Sequence, residues 1–270
     1  MVMMRSFPER PWFILLTAAF LICGAMVIST VLRPSIPSLC STPRASSDLR
    51  PAILHYATSS IVPQQSLSEI RLSFDVLRSI SPCNFLVFGL GHDSIMWASF
   101  NPSGTTVFLE EDPKWTQSVL QSAPDLTAHT IRYPTHLSDA DHLLQSYKSE
   151  PSCLPPHAYL KGNHRCPLAL ADLPSSIYDR EWDVIMIDAP RGYFNEAPGR
   201  MGAIWSAAVM ARSRTRPGDT HVYLHDVDRK VEKTFAMEFL CKKYLVGGTG
   251  RIWHFKIPPA KNYSSATQFC

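Results

Sequence analysis

The chain has 270 residues, 26 Lys and Arg against 23 Asp and Glu, and is 45% hydrophobic. That length rules out a disulfide mini-protein and suits one sizeable α/β domain with a full core. A charge balance this close to neutral argues against a nucleic-acid partner held on a broad basic face.

Trp12 to Leu32 is a run of 21 residues without a charged side chain, closed by Arg10 and Arg33. It has membrane-spanning length and is too long for the apolar core of a cleaved signal peptide. Arg5 and Arg10 precede it, so residues 1–11 read as a cytosolic tail and 12–32 as a signal anchor. Residues 33–65 are rich in Pro and Ser, the composition of a flexible stem. A lumenal domain over 66–260 and a C-terminal tail over 261–270 complete the chain. Cys23 lies in the apolar run, which leaves Cys40, Cys83, Cys153, Cys166, Cys241 and Cys270 on the lumenal side. Cys153 and Cys166 bracket a short loop without paired CxxC spacing, so a disulfide is expected there. Asn262-Tyr263-Ser264 is a glycosylation sequon.

Ser66 with Glu69 forms a capping-box pattern ahead of Leu67, Ile70, Phe74, Leu77 and Ile80, which predicts a helix over 67–80. Asn84 to Phe88 is a short apolar run entering Gly89-Leu90-Gly91, a buried strand and tight turn, and Ser94 to Phe100 follows as a helix. After the break at Asn101 to Gly104 come a strand over 105–110, a helix from Pro113 capped by Asp112, a strand over 127–133 and a helix over 138–149. Trp182 to Asp188 is a further strand, followed by the loop APRGYFNEAPGR and a helix over 201–212. Thr220 to Leu224 gives a strand ending at His225-Asp226, and a helix covers 230–239. Tyr244 to Val246 and Arg251 to Ile257 flank Gly247-Gly248-Thr249-Gly250 as an antiparallel hairpin, with Trp253, Phe255 and Ile257 on one face.

This alternation predicts a Rossmann-like α/β fold, a mostly parallel sheet with a C-terminal antiparallel hairpin and ligands beyond the strands' carboxyl ends. The antiparallel addition resembles the S-adenosylmethionine-dependent methyltransferase fold rather than the dehydrogenase fold. Gly89 and Gly91 follow the first strand, where absent side chains let a nucleotide approach the backbone. Ser94 stands where the dinucleotide fingerprint needs its third glycine, which counts against an oxidoreductase. Glu110 ends the second strand, where a ribose-binding acid belongs, and ranks ahead of the adjacent Glu111, which extended-chain alternation turns to the other side.

The stretches VFGLGHDSIMWASFNPSGTTVFLEEDP, WDVIMIDAPRGYFNEAPGRM, AVMARSR and THVYLHDVDRKVEKTFAMEFLC resemble the plant glucuronoxylan 4-O-methyltransferase family, over residues 67–258. The wider family includes the irregular-xylem proteins, and a sister branch acts on the glucuronic acid of arabinogalactan. The resemblance implies methyl transfer from S-adenosylmethionine to the 4-hydroxyl of glucuronic acid side groups on glucuronoxylan. It also implies a single-pass protein of the Golgi membrane, working with the polysaccharide and other xylan-synthesis enzymes. A noncatalytic scaffold is the competing reading, and the retained glycines and Glu110 count against it.

Methyl transfer needs a positioned acceptor hydroxyl and a group or ion that removes its proton. Asp188, His225 and Asp226 end consecutive strands and are the catalytic candidates, with His92 a second base. In the favoured metal-free arrangement His225 is the base, Asp226 orients it and Asp188 holds the acceptor. The alternative puts a divalent ion on Asp188 and Asp226. Arg191 and Arg200 suit a uronate carboxylate, and Tyr193 a sugar face.

Overall fold

The computed structural model describes residues 49–260 and 267–270. The anchor at 12–32, the stem as far as 48, Cys23, Cys40 and the Asn262 sequon lie outside the described residues. Among the described residues no helix is long and apolar enough to cross a membrane.

Seven strands form one sheet: β1 (Asn84–Phe88), β2 (Thr105–Glu110), β3 (Thr127–Thr130), β4 (Val184–Ile187), β5 (Thr220–Leu224), β6 (Leu245–Thr249) and β7 (Ile252–Ile257). Their order is β3-β2-β1-β4-β5-β7-β6. The first five run parallel, and β7 lies antiparallel to both β5 and β6. Successive strand side chains point to opposite faces, so an apolar run with no polar alternation must be covered on both sides. Leu86, Phe88, Leu109, Ile185, Ile187 and Val222 join one core, while Phe85, Val87, Phe108, Val184, Met186 and Tyr223 join the other. Trp253, Phe255 and Ile257 share the first core, as their spacing predicted.

The helices are α1 (Arg50–Thr58), α2 (Leu67–Ile80), α3 (Ser94–Ser99), α4 (Pro113–Ser122), α5 (Ala140–Ser146), α6 (Ser175–Tyr178), α7 (Met201–Arg212) and α8 (Lys230–Phe235). The Ser66 hydroxyl accepts from Glu69 N–H, and the Glu69 carboxylate accepts from Ser66 N–H at 2.7 Å, so the capping box is formed. Asp112 caps α4 through Lys114 and Trp115 N–H. Helix α7 is apolar all round and nearly every residue in it is buried.

Several expectations are revised. Residues 50–58 of the expected stem form α1, whose Tyr56 hydroxyl donates to the His92 carbonyl at 2.9 Å and accepts from Met96 N–H at 3.1 Å. The third strand stops at Thr130, and the expected 138–149 helix is α5 flanked by 3₁₀ turns. Helix α8 stops at Phe235 and passes into a π-type turn over 236–240. In the hairpin, Gly247 and Gly248 belong to β6 and the chain reverses at Gly250 and Arg251. Gly250 has φ 53°, and a Cβ on it would lie 2.5 Å from Glu69 Oε1, so the turn is fitted against a buried carboxylate that the local sequence does not reveal. Cys153 pairs with Cys166 as expected, and Cys241 pairs with Cys270. The second bridge, with Phe269 buried against Phe239 and Trp205, fastens the end of the tail to the domain.

Candidate active site

At the carboxyl ends of β1 and β2 the chain builds a recess largely from backbone. Gly89 has φ 124°, a conformation that L side chains avoid, and a Cβ there would come within 3.3 Å of the Ala189 Cβ. Gly91 N–H donates to the Ser94 hydroxyl at 2.9 Å, so the residue replacing the third glycine holds the turn. Leu90 N–H donates to Glu110 Oε2 at 3.1 Å, while Glu110 Oε1 accepts from Glu111 and Asp112 N–H at 3.0 and 3.1 Å. Glu110 is only 6% exposed. Burial raises its carboxyl above the usual range against the Asp112 hydrogen bond, and the Glu111 charge adds to the rise. Three of roughly four lone-pair sites on the carboxylate are taken, which leaves acceptor capacity for a ligand hydroxyl.

At the carboxyl ends of β4 and β5 the chemistry is carried by side chains. Asp188 Oδ1 lies 2.9 Å from His225 Nδ1 and 3.3 Å from Arg200 Nη2, and Asp188 Oδ2 accepts from Gln65 Nε2 at 3.0 Å. Burial would raise the Asp188 carboxyl, but the His225 hydrogen bond and the Arg200 charge hold it below the usual range. For His225 burial acts downward, and the hydrogen bond and charge of Asp188, with Asp226, overcome it and raise the imidazole. Asp226 has φ 60°. That left-handed conformation costs on the order of 1–3 kcal/mol in a residue other than glycine. It is held by Arg251, Arg200 and Arg229, whose guanidinium nitrogens approach the Asp226 carboxylate at 2.6, 2.8 and 3.0 Å.

One cavity of about 490 Å³ joins the two halves, running from Gly89, Gly91 and Glu110 to Asp188, Arg191 and Tyr193. The segment Ile61 to Gln64 forms part of its wall, and the next residue, Gln65, is the one bonded to Asp188.

A scan against family models matches IRX15/IRX15L/GXM over residues 68–255. The chain belongs to the IRX15/IRX15L/GXM family. It is 56% identical to Arabinogalactan O-methyltransferase 2 of Arabidopsis thaliana, over 97% of this chain and 95% of that protein. It is 47% identical to Glucuronoxylan 4-O-methyltransferase 1 of the same plant, over 81% of this chain and 76% of that one. Among solved structures, a methyltransferase-like protein from Silicibacter pomeroyi is similar at 17% identity and TM-score 0.43, over 73% of this chain and 89% of that one. The family thus includes plant polysaccharide O-methyltransferases.

In this member of the IRX15/IRX15L/GXM family the expected site residues fall into two groups. Gly89, Gly91, Glu110, Glu111, His92, Asp188, Arg191, Tyr193 and Asp226 all line the cavity. Glu111 does not turn away from Glu110 as alternation implies, because β2 ends at Glu110; Glu111 Oε1 accepts from Arg191 N–H at 3.2 Å. His92 is exposed on the rim, edge-on to Trp115.

Two expected roles are corrected. Arg200 is 4% exposed and is spent inside the protein. It donates to the carbonyls of Pro190, His225 and Asp188 and pairs with both aspartates, so it braces the strand ends rather than reading a substrate. His225 is 1% exposed and bonded through Nδ1 to Asp188, and its buried Nε2 has Glu69 Oε1 at 3.7 Å on its other side. It is not placed to take a proton from an acceptor. Asp188 is its closest carboxylate, at 2.9 Å against 3.4 Å for Asp226.

Asp188, His225 and Asp226 each offer one ligand atom, all within 4.8 Å of one another. Two carboxylates and an imidazole are a donor set for a first-row divalent ion rather than magnesium, but three guanidiniums already hold the Asp226 carboxylate and Asp188 holds His225 Nδ1, so the charges of this cluster are balanced by arginine and do not fit a cation. Gln65, Arg229 and Arg251 are site residues that the sequence motifs do not single out, and Glu69 is signalled there only as a helix cap. Asp226 and Arg229 stand three residues apart, and that spacing is the available signal for Arg229.

Proposed function

We propose that this protein is an S-adenosylmethionine-dependent O-methyltransferase that methylates the 4-hydroxyl of glucuronic acid on arabinogalactan, working from the lumenal face of the Golgi membrane. The observation that carries the reading is the shared cavity. It connects a glycine turn and a buried strand-end acid to an aspartate pair at the next strand ends, so a nucleoside at one end points its reactive group at the other. The 56% identity to an arabinogalactan enzyme supports that acceptor over glucuronoxylan, where the corresponding figure is 47%. Glucuronoxylan, which the sequence motifs resemble, is the second acceptor. Two disulfides in the domain support an oxidising lumen.

In this mechanism Glu110 accepts from a ribose hydroxyl and the glycine turn admits the methionyl part of the cofactor. Asp188 orients the acceptor hydroxyl toward the sulfonium methyl, and His225 and Arg200 fix its carboxylate. A carboxylate held below its usual range is a weak base for a sugar hydroxyl. A weak base suffices if the proton leaves late: as the new O–CH3 bond forms and the sulfonium S–CH3 bond breaks, the acceptor oxygen becomes strongly acidic and its proton passes to Asp188.

The test gives the full-length protein labelled S-adenosylmethionine with arabinogalactan and, separately, glucuronoxylan. Label recovered as 4-O-methylglucuronic acid on arabinogalactan is the expected result. Label on xylan alone would transfer the assignment to the second acceptor, and label on neither would end it. Chelation is expected to leave both turnover and S-adenosylhomocysteine binding unchanged. Turnover abolished by chelation and restored by a divalent ion would place an ion on the aspartates instead.

A further inference from the structure

The cavity contains a guanidinium that neither the sequence motifs nor the mechanism above uses. Three arginines line the cavity: Arg191, Arg200 and Arg229. Arg200 is buried and fully committed to the strand ends. Arg191 lies toward the cofactor side, with Glu111 and Asp112 at 3.8 and 3.7 Å. Arg229 differs from both. Its Nη2 pairs with Asp226 at 3.0 Å, its Nη1 has no hydrogen-bond partner, and 29% of the side chain is open. Its guanidinium carbon stands 6.0 Å from the centre of the Tyr193 ring, an exposed aromatic on the same wall.

We infer that Arg229 is the residue that reads the acceptor's carboxylate, with Tyr193 lying against the same sugar. The inference rests on the proposed function and names how its acceptor is chosen.

The charge arrangement supports it. Asp226 is shared among three guanidiniums, so Arg229 does not hold that carboxylate alone and is not neutralised by it alone. The counter-charge behind Arg229 is Glu232, fully buried 3.7 Å from Nη1, with neither carboxylate oxygen hydrogen-bonded. Burial raises the Glu232 carboxyl, which weakens it as a permanent partner. A uronate meeting Arg229 therefore finds a cation already desolvated on one side and fixed in direction. Gly192 keeps the arrangement tight, since a Cβ there would come within 2.7 Å of Glu232 Oε1 and 3.6 Å of Arg229 Nη1. The same loop that carries Tyr193 is thus seated directly on the Arg229–Glu232 pair.

The test compares a glucuronic-acid-bearing arabinogalactan oligosaccharide with its carboxyl-reduced counterpart on full-length wild type, Arg229→Met, Arg229→Lys and Arg191→Met. Binding of methyl glucuronoside and methyl glucoside is measured alongside. Arg229→Met should cut kcat/KM on the uronate acceptor about 30-fold more than on the reduced acceptor, the loss of one charge-assisted contact, and any loss common to both acceptors reports the release of Asp226 and Glu232 from their partner. Arg229→Lys keeps the charge without the fork and should fall between. S-adenosylhomocysteine affinity should not move in either variant, which separates a reading role from a folding defect. Equal losses on both acceptors, an unaltered preference, or a preference that disappears in Arg191→Met would each overturn the assignment. If wild type transfers no methyl yet loses glucuronoside binding in Arg229→Met, the proposed function fails and Arg229 stands. If wild type turns over both acceptors with no carboxylate preference, the methyltransferase reading stands and Arg229 is removed from acceptor choice.

Discussion

The two halves of the cavity are built by opposite means. Around Gly89, Gly91 and Glu110 the geometry is made by main-chain N–H groups and one acid, all within a short span of chain. Around Asp188 and Asp226 it is made by side chains drawn from α2, the strap before it, the loops after β4 and β5, and the turn before β7. A backbone-built recess can lose one side chain and keep its shape. A coupled ionic cluster cannot, because removing one member leaves its partners buried and uncompensated, and the effects of single changes do not add.

The sharpest way to break that contrast is to remove a functional group from the ionic half. Asp188→Asn is expected to lower turnover by about 10²–10⁴-fold, the range for a positioned acid–base group, while cofactor affinity changes little. A folded Asp188→Asn protein with wild-type kcat would remove Asp188 from the chemistry. Arg200→Met should act on folding instead. It strips both aspartates and three carbonyls of a buried donor and should destabilise the domain by about 3–5 kcal/mol, read as a lowered denaturation midpoint. Were Arg200 the carboxylate reader that its loop position suggests, its loss would leave stability unchanged and raise only the acceptor KM.

Two buried histidines sharpen the comparison through pH. His225 is raised by its carboxylates, so its contribution is complete below the unfolded imidazole value and is lost as pH rises through the folded one. His254, on β7 opposite Tyr223 of β5, is the reverse: burial and the charges of His221 and Lys256 push it down to about 4. Its folded value lies below the unfolded one, so its contribution is complete above about pH 6.5 and lost as pH falls through about 4, on the order of 3 kcal/mol in all. Melting between pH 7 and 4 should show that loss. His254→Phe keeps the stack on Tyr223, now at 4.3 Å, and should flatten the acid limb. An unchanged acid limb would place the titrating group elsewhere.

What can be read from the sequence follows the same division. The sheet is legible because β1, β2, β4 and β5 are apolar runs with turn residues at their ends, and the capping box at Ser66 fixes the start of α2. The glycine turn and Glu110 are legible because their roles depend on spacing along one stretch of chain. Arg200 and His225 have other jobs than their positions suggest, because a side chain's availability depends on how many partners the fold brings to it, and those partners are far away in sequence. Gln65 reaches Asp188 across 123 residues and Glu69 reaches Arg251 across 182. Helix α1 is hidden by the Pro- and Ser-rich composition just before it, and by a moderate apolar content that gives no clear periodicity.

The smallest expected effect belongs to the backbone-built half, and it tests whether that half is as forgiving as its construction implies. Glu110→Ala is a poor probe, because the carboxylate that would meet the ribose also holds Leu90 N–H, and its loss would orphan buried backbone donors as well as weaken binding. Glu110→Gln keeps the shape and one carbonyl oxygen while removing the charge. It should weaken S-adenosylhomocysteine binding by about 10- to 100-fold, as expected for a hydrogen bond to a charged group. Turnover at saturating cofactor should remain near that of wild type, and the denaturation midpoint should fall modestly, since the new amide nitrogen faces Leu90 N–H in place of an acceptor. If kcat falls along with affinity, the glycine turn has shifted and carried the methyl group out of line, and the two halves are then mechanically coupled through Glu110. If affinity is unchanged, the ribose is not held at the end of β2 and the cofactor lies elsewhere along the cavity.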